Sequence, residues 1–229
     1  MKINYGKQSA ELAALDIKVA DSVQATNVLI LSAHSGDELL GCGGLISHLS
    51  ESASHIKVIY FSDKLEFVNE KKIDAESMRI QEREAVSGLR VLGIHEVNFL
   101  RMKEVLGQES ISLTILEELK TREWDLVILP SKEDWSIERQ AINTYFESVS
   151  KYKLGYPLVV MQYGLFGLSK PDIVLNIDQY VGMKEEAVRC HKSLLAQRDL
   201  ASASLGLSNY LGNIAGVGKH VEGYSLSTK

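Results

Sequence analysis

The chain has 229 residues, 45% of them apolar and 24% charged, which is ordinary globular composition with enough mass for a self-sufficient core. Acidic side chains number 30 against 25 basic, a formal charge of −5 with no Lys/Arg cluster, which excludes a nucleic-acid binder. Two cysteines, Cys42 and Cys190, exclude a disulfide framework and a four-cysteine zinc site. No run approaches the ~20 apolar residues of a membrane span, and no apolar leader opens the chain, so a cytoplasmic protein without a membrane partner is expected.

Residues 1–26 read as an N-terminal extension and 27–229 as a single domain, since no linker, repeat or low-complexity run divides the rest. Apolar runs of the kind found in buried parallel strands lie at 27–33 (NVLILSA), 56–62 (IKVIYFS), 97–100, 125–130 (DLVILP) and 158–163 (LVVMQY), with a short one at 173–177. Between them the spacing predicts helices. In 76–92 the inward set is Met78, Ile80, Val86, Leu89 and Leu92, with Gly93 as the stop. In 137–149 it is Ile137, Ala141, Tyr145 and Val149, and 183–200 reads as one long helix with Ala187, Leu194 and Leu195 inward.

This alternation predicts a three-layer α/β/α fold with a mainly parallel, Rossmann-like sheet. The common half-order 3-2-1-4-5 sets the strands at 27–33 and 125–130 side by side, flanking the point where the winding reverses. Ligands gather there, outside the carboxyl ends of the strands, so the loops after Ala33 and Pro130 are the candidate site.

The first loop reads His34-Ser35-Gly36-Asp37-Glu38-Leu39-Leu40-Gly41-Cys42-Gly43-Gly44. A histidine and a carboxylate three residues apart on a sharp turn can converge on one cation at ~2.0–2.2 Å. The plainer alternative is a hydrogen-bonded His34 at a strand end, with Asp37 and Glu38 matching a helix dipole. Glycines 41, 43 and 44 permit close backbone approach. No phosphate-binding glycine motif is present, which argues against a nucleotide.

Strand and loop together resemble the opening signature of the PIG-L/LmbE-like family, commonly H-P-D-D-E-x-x-x-G-C-G-G. Phe61-Ser62-Asp63 and the helix from Arg79 to Gly93 are similar to the family's next strand and helix. Residues 171–197 resemble a later strand, helix and H-x-S-x-x-x-Q motif, with His191, Ser193 and Gln197 in the named places. The closing segment 210–224, YLGNIAGVGKHVEGY, resembles the family's last motif, so the likeness runs over about residues 27–225.

The resemblance implies an LmbE-like fold and a zinc-dependent N-deacetylase of N-acetylated amino sugars or their conjugates. By position it makes His34 and Asp37 zinc ligands. Gly36 stands where the family has its general base. The second motif, H-P-D-H, falls on Ser136-Ile137-Glu138-Arg139. Ser136 therefore occupies the acid or oxyanion position, and Arg139 the third-ligand position.

Arginine has five donors and no lone pair, so Arg139 cannot ligate zinc. Its charge would also repel a divalent ion, by about 4 kcal/mol even for two unit charges ~4 Å apart at an effective dielectric near 20. An inward ion pair of Arg139 with Asp37 or Glu38 is expected in the metal's place; the other option is an Arg139 pointing to solvent. On this reading the chain needs no cofactor and has lost ordinary zinc hydrolysis. It is expected to bind an N-acetyl sugar conjugate or glycan intermediate, to partner a second copy of itself or an active homologue, or to catalyse a metal-free reaction.

The alternative is an active N-deacetylase holding zinc through His34, Asp37 and one of Glu133, Asp134 and Glu138. Glu38, Glu138, Arg139 and Trp135 are expected to line the site, Trp135 offering a ring to a sugar face. His191 is expected to pack beneath the site loops. His48, His55, His95 and His220 are expected at the surface, and Cys42 in the core. Trp124 is expected at the core edge, and Arg101 and Lys103 in a solvated loop.

Overall fold

Apolar runs along the chain become neighbours in one nine-stranded sheet. The computed structural model describes residues 1–52, 55–62, 75–150, 154–165, 170–196 and 198–228. In chain order the elements are β1 (Lys2–Tyr5), α1 (Ala10–Ala14), β2 (Lys18–Gln24), β3 (Asn27–Ser32), α2 (Asp37–Glu51), β4 (His55–Ser62), α3 (Ala75–Val91) and β5 (Glu96–Met102). Then follow α4 (Glu109–Thr121), β6 (Leu126–Pro130), α5 (Ile137–Val149), β7 (Val159–Tyr163), β8 (Ile173–Asn176), α6 (Val181–Arg189), α7 (Lys192–Leu195), α8 (Leu200–Ala215) and β9 (Val221–Thr228).

The sheet order is β1-β2-β8-β9-β7-β6-β3-β4-β5. Its run β5-β4-β3-β6-β7 is the expected half-order, with Val28–Ile30 paired in parallel to Leu126–Ile128. Only β1 and β9 run antiparallel to their neighbours. β9 enters between β7 and β8, so the closing segment of the chain stitches the two ends of the sheet together.

Alternate β3 side chains feed two cores, as the twofold period of a strand requires. Val28 and Ile30 pack with Leu39, Leu45 and Leu49 of α2 on one face. Leu29 and Leu31 pack with Ile111 and Ile115 of α4 and Ile142 and Phe146 of α5 on the other. Each such buried side chain contributes about 1.5–3 kcal/mol, which is why a strand covered on both faces reads as an unbroken apolar run.

Several expectations need correction or extension: α5 buries Arg139, Ile142, Asn143, Phe146 and Val149, leaving Ile137 exposed, and Ile80 of α3 is exposed as well. The helix expected over 183–200 is broken: α6 ends at Arg189, α7 is a single turn, and a separate α8 begins at Leu200. His191 departs from helical geometry (φ −83°, ψ 63°) and turns its ring inward, while Glu84 accepts the freed Ser193 N–H at 3.1 Å. Asp199 caps α8 by accepting from Ser202 N–H at 3.1 Å, a start signal legible in the sequence. Residues 1–26 supply two strands of the same sheet, β2 lying parallel to β8. His48 is half-buried rather than surface, its ring bonded to the Tyr180 hydroxyl at 3.0 Å and the Val23 backbone at 3.0–3.1 Å. Asp63 and Gln197 lie outside the described residues.

Candidate functional site

Two segments meet at the carboxyl end of the sheet. Strand β3 delivers Ala33 and His34, and the chain then turns through Gly36 at φ +98° into α2, whose first residues are Asp37 and Glu38. That backbone conformation suits glycine and few other residues. Strand β6 leads through a loop into α5, whose first turn carries Glu138 and Arg139. Asn143 anchors this helix by donating to the Pro130 carbonyl at 2.9 Å.

Arg139 is buried, and its guanidinium grips Asp37 as a fork: Nε donates to Oδ2 at 3.0 Å and Nη2 to Oδ1 at 2.7 Å. Its Nη1 lies 3.5 Å from Asp134. The inward ion pair expected from the sequence is therefore present, with Asp37 as the partner. The Asp37 carboxylate also accepts the His34 backbone N–H at 3.1 Å. In the same cluster, His34 Nε2 is 2.7 Å from Glu138 Oε2.

These contacts set the charges. Burial alone would raise the Asp37 carboxyl, but Arg139 and His34 outweigh it and hold it well below the usual carboxylate range. Burial alone would lower His34, but Asp37 and Glu138 prevail and raise it to about 9, so it is an imidazolium at neutral pH. Burial pushes Glu38 up to about 8 against the opposing bond from the Tyr60 hydroxyl, leaving a neutral acid. Glu38 Oε2, His34 Nδ1 and His191 Nε2 are buried without a hydrogen-bond partner. A cluster of such atoms at one place marks a site, since the interior seldom leaves them unpaired.

His191 packs beneath the site loop as expected. A β-carbon built on Gly36 would meet its ring at 3.3 Å and Leu194 at 3.4 Å. The space for a side chain at this position is thus taken up by the α7 turn, and burial lowers the His191 imidazole to about 4. Asp134 is buried and braces its loop, accepting from Ser136 N–H at 2.9 Å and Leu165 N–H at 3.1 Å. Ser136 starts α5 without a side-chain cap. Glu133 is exposed, and Trp135 stands 78% exposed on the loop. Arg101 is committed to Glu82 at 2.6 and 3.0 Å.

Zinc does not fit this arrangement. Both Asp37 oxygens face a guanidinium, and the third position carries a fixed positive charge with no lone pair. Among the described residues, no three His, Cys, Asp or Glu side chains are grouped to hold a metal ion.

Sequence reasoning missed a second buried pair. Lys184 Nζ donates to Glu222 Oε1 at 2.8 Å beneath α2. Glu222 also accepts Gly44 N–H at 2.9 Å, Leu45 N–H at 2.8 Å and the Tyr224 hydroxyl at 2.5 Å. Those amides are free because α2 kinks at Cys42 (φ −141°), and the carboxylate caps the restarted helix. Gly41 and Gly44, on either side of the kink, let α2 pack closely: a β-carbon on Gly41 would strike Tyr163 at 2.2 Å, and one on Gly44 Ile177 at 2.6 Å. A glutamate inside the closing apolar strand was the available signal.

A mainly parallel sheet with a His-x-x-Asp loop at its switch point defines an α/β protein of the LmbE-like deacetylase fold. The profile described as PIG-L: GlcNAc-PI de-N-acetylase matches residues 29–143, and the chain belongs to this family. N,N'-diacetylchitobiose deacetylase from Pyrococcus horikoshii has 17% identity and a TM-score of 0.71, over 89% of this chain and 84% of that one. GalB, the 4-carboxy-2-hydroxymuconate hydratase from Pseudomonas putida, has 16% identity and a TM-score of 0.69, over 88% and 95%. The teicoplanin deacetylase Orf2 has 11% identity and a TM-score of 0.66, over 89% and 99%. No curated protein sequence matches the chain. Among the described residues no helix is long and apolar enough to cross a membrane.

Proposed function

We propose that this chain is a PIG-L family protein that binds an N-acetylated sugar conjugate in the crevice between α2 and α5 without zinc-dependent hydrolysis. The observation that carries this is the buried fork of Arg139 on Asp37, which puts a fixed cation in the place of the metal. Gly36, with its positive φ and its side-chain space taken by His191 and Leu194, supports the reading because no base can be supplied there without moving the loop. A positioned base contributes on the order of 10²–10⁴ in rate. The ligand is held instead by groups that need no metal. His34 and Glu138 offer charged hydrogen-bonding partners, and the exposed ring of Trp135 offers an apolar face.

Glu138 favours a second reading. It lies 2.7 Å from His34, so expulsion of Arg139 would leave His34, Asp37 and Glu138 near one another as a carboxylate-rich zinc site. Elemental analysis of the full chain, purified without chelators after growth in added zinc, separates the two. The expected result is far less than one zinc per chain in the parent protein, with zinc uptake appearing in Arg139→His. One zinc per chain in the parent, with release of acetate from N-acetyl sugars that a chelator stops, would overturn the first reading.

A further inference from the structure

A cavity of about 820 Å³ lies away from the crevice, within the ~300–1,000 Å³ of small-molecule sites. Five segments wall it: Lys7 in the β1–α1 loop, Asp21 in β2, His48 in α2, Gln179 in the β8–α6 loop and Val217 in the α8–β9 loop. His48 follows Asp37 on α2 by roughly 16 Å, at 1.5 Å per residue. The family profile matches residues 29–143, so Lys7, Asp21 and Gln179 all fall outside it.

Most polar groups of these walls are already used. Asp178 accepts the Lys219 and His220 N–H groups at 2.9 and 2.7 Å. Asn176 donates to the Val217 carbonyl at 2.8 Å and accepts from Asp178 N–H at 2.8 Å. The Tyr180 hydroxyl donates to Glu51 at 3.0 Å and lies 3.0 Å from His48 Nδ1. Three side chains are left over. Among the described residues, neither the Lys7 ammonium, the Asp21 carboxylate nor the Gln179 amide makes a hydrogen bond or an ion pair.

The placement of Asp21 is built into the backbone. Asn4 of β1 lies opposite Ser22 and Tyr5 opposite Ala20, so Asp21 is an extra residue in β2. Such a bulge re-aims a side chain. Its carboxylate packs over Gly6, where a β-carbon would collide with Oδ1. Any other residue at position 6 would displace the carboxylate.

A free cation and a free anion thus share one cavity without meeting. A neutral or singly charged ligand leaves one of them unanswered, whereas a ligand with both charges answers both. We propose that this cavity binds a small zwitterion, an amino acid or short peptide with free ends. Its carboxylate meets Lys7, its ammonium meets Asp21, and the Gln179 amide serves the peptide group. Val19 and Ala20, both buried, give its side chains an apolar floor. This site is independent of the crevice and of the sugar reading.

The full chain is titrated with L-alanyl-L-alanine, its N-acetyl form, its C-terminal amide and propionate, reading ligand-observed NMR and heat. Each cap is expected to weaken binding about two- to fivefold, the scale of an exposed charge pair. Lys7→Gln is expected to abolish the penalty of the amide and keep that of the acetyl cap; Asp21→Asn does the reverse. Both substitutions replace exposed side chains, so an unchanged melting temperature is expected. The proposal is overturned if no form binds at millimolar concentration, if all forms bind equally, or if both variants keep both penalties. Propionate that binds as tightly as the dipeptide, and is lost in Lys7→Gln, overturns it in favour of a simple anion site. Displacement of the dipeptide by N-acetylglucosamine also overturns it, by assigning the peptide to the crevice.

Discussion

Two buried ion pairs meet α2, one at its first residue and one at its kink, and they differ in how completely their atoms are used. In the Lys184–Glu222 pair the carboxylate receives an ammonium, two backbone amides and a hydroxyl, and neither of its oxygens is left over. In the Arg139–Asp37 pair the fork is equally buried, but Glu38 Oε2 and His191 Nε2 nearby have no hydrogen-bond partner, and His34 Nδ1 has only a 3.6 Å ion contact with Asp37 Oδ2. The first pair caps a kinked helix. The second sits at the carboxyl end of the sheet beside a cavity lined by Leu40 and Trp135. Buried charge by itself does not mark a functional site; buried polar atoms with unspent capacity, next to space, do.

The largest effect is expected where the network is complete. Lys184→Met should destabilise the chain by about 3–5 kcal/mol, because Glu222 stays clamped between two amides with its countercharge gone. Denaturant unfolding measures this, and a loss under ~1 kcal/mol would erase the contrast. Arg139→Ala should cost less, about 2–4 kcal/mol, since the volume vacated by the arginine can admit water to Asp37. The double variant Asp37→Ala with Arg139→Ala should recover part of that loss; simple additivity would mean the pair is not coupled.

Glu38 sharpens the comparison through pH. Its folded value of about 8 lies above its ordinary 4.5, so the folded chain keeps a proton that the unfolded chain gives up. Stability from this group is therefore lost as pH rises through that window. At no more than about 1.4 kcal/mol per pH unit, Glu38→Gln should gain on the order of 2 kcal/mol over the parent between pH 5 and pH 8. Parallel stability curves for the two proteins would contradict the assignment. Smallest of all, Gly36→Asp should lose about 1–2 kcal/mol, since an L side chain at φ +98° is strained and must displace His191 or Leu194. No loss of melting temperature would show that the loop tolerates a base there.

Much of the fold was legible from local patterns. The stretches Val28–Leu31 and Leu126–Leu129 within the runs at 27–33 and 125–130 are buried and unbroken by polar residues, which identifies them as central strands. The break at His191 was not legible, because 183–200 keeps helical spacing throughout. The helix breaks where the His191 ring packs beside Gly36, a contact between positions 155 residues apart. His48 was misplaced for a similar reason: its partners, Val23 and Tyr180, lie 25 and 132 residues away in sequence.

The amino-acid sequence by itself determined the sheet order around the switch point, the family, and the absence of a lone pair at position 139. These follow from residue type and spacing, which no folding event can change. Only the tertiary structure decided that Asp37 and not Glu38 meets Arg139, that Glu138 turns to His34, and that Glu222 caps the kink in α2. It also decided that Lys7, Asp21 and Gln179 line one cavity. Such contacts join residues tens to hundreds of positions apart, and which carboxylate meets which cation depends on distances and burial that appear only when the chain is packed.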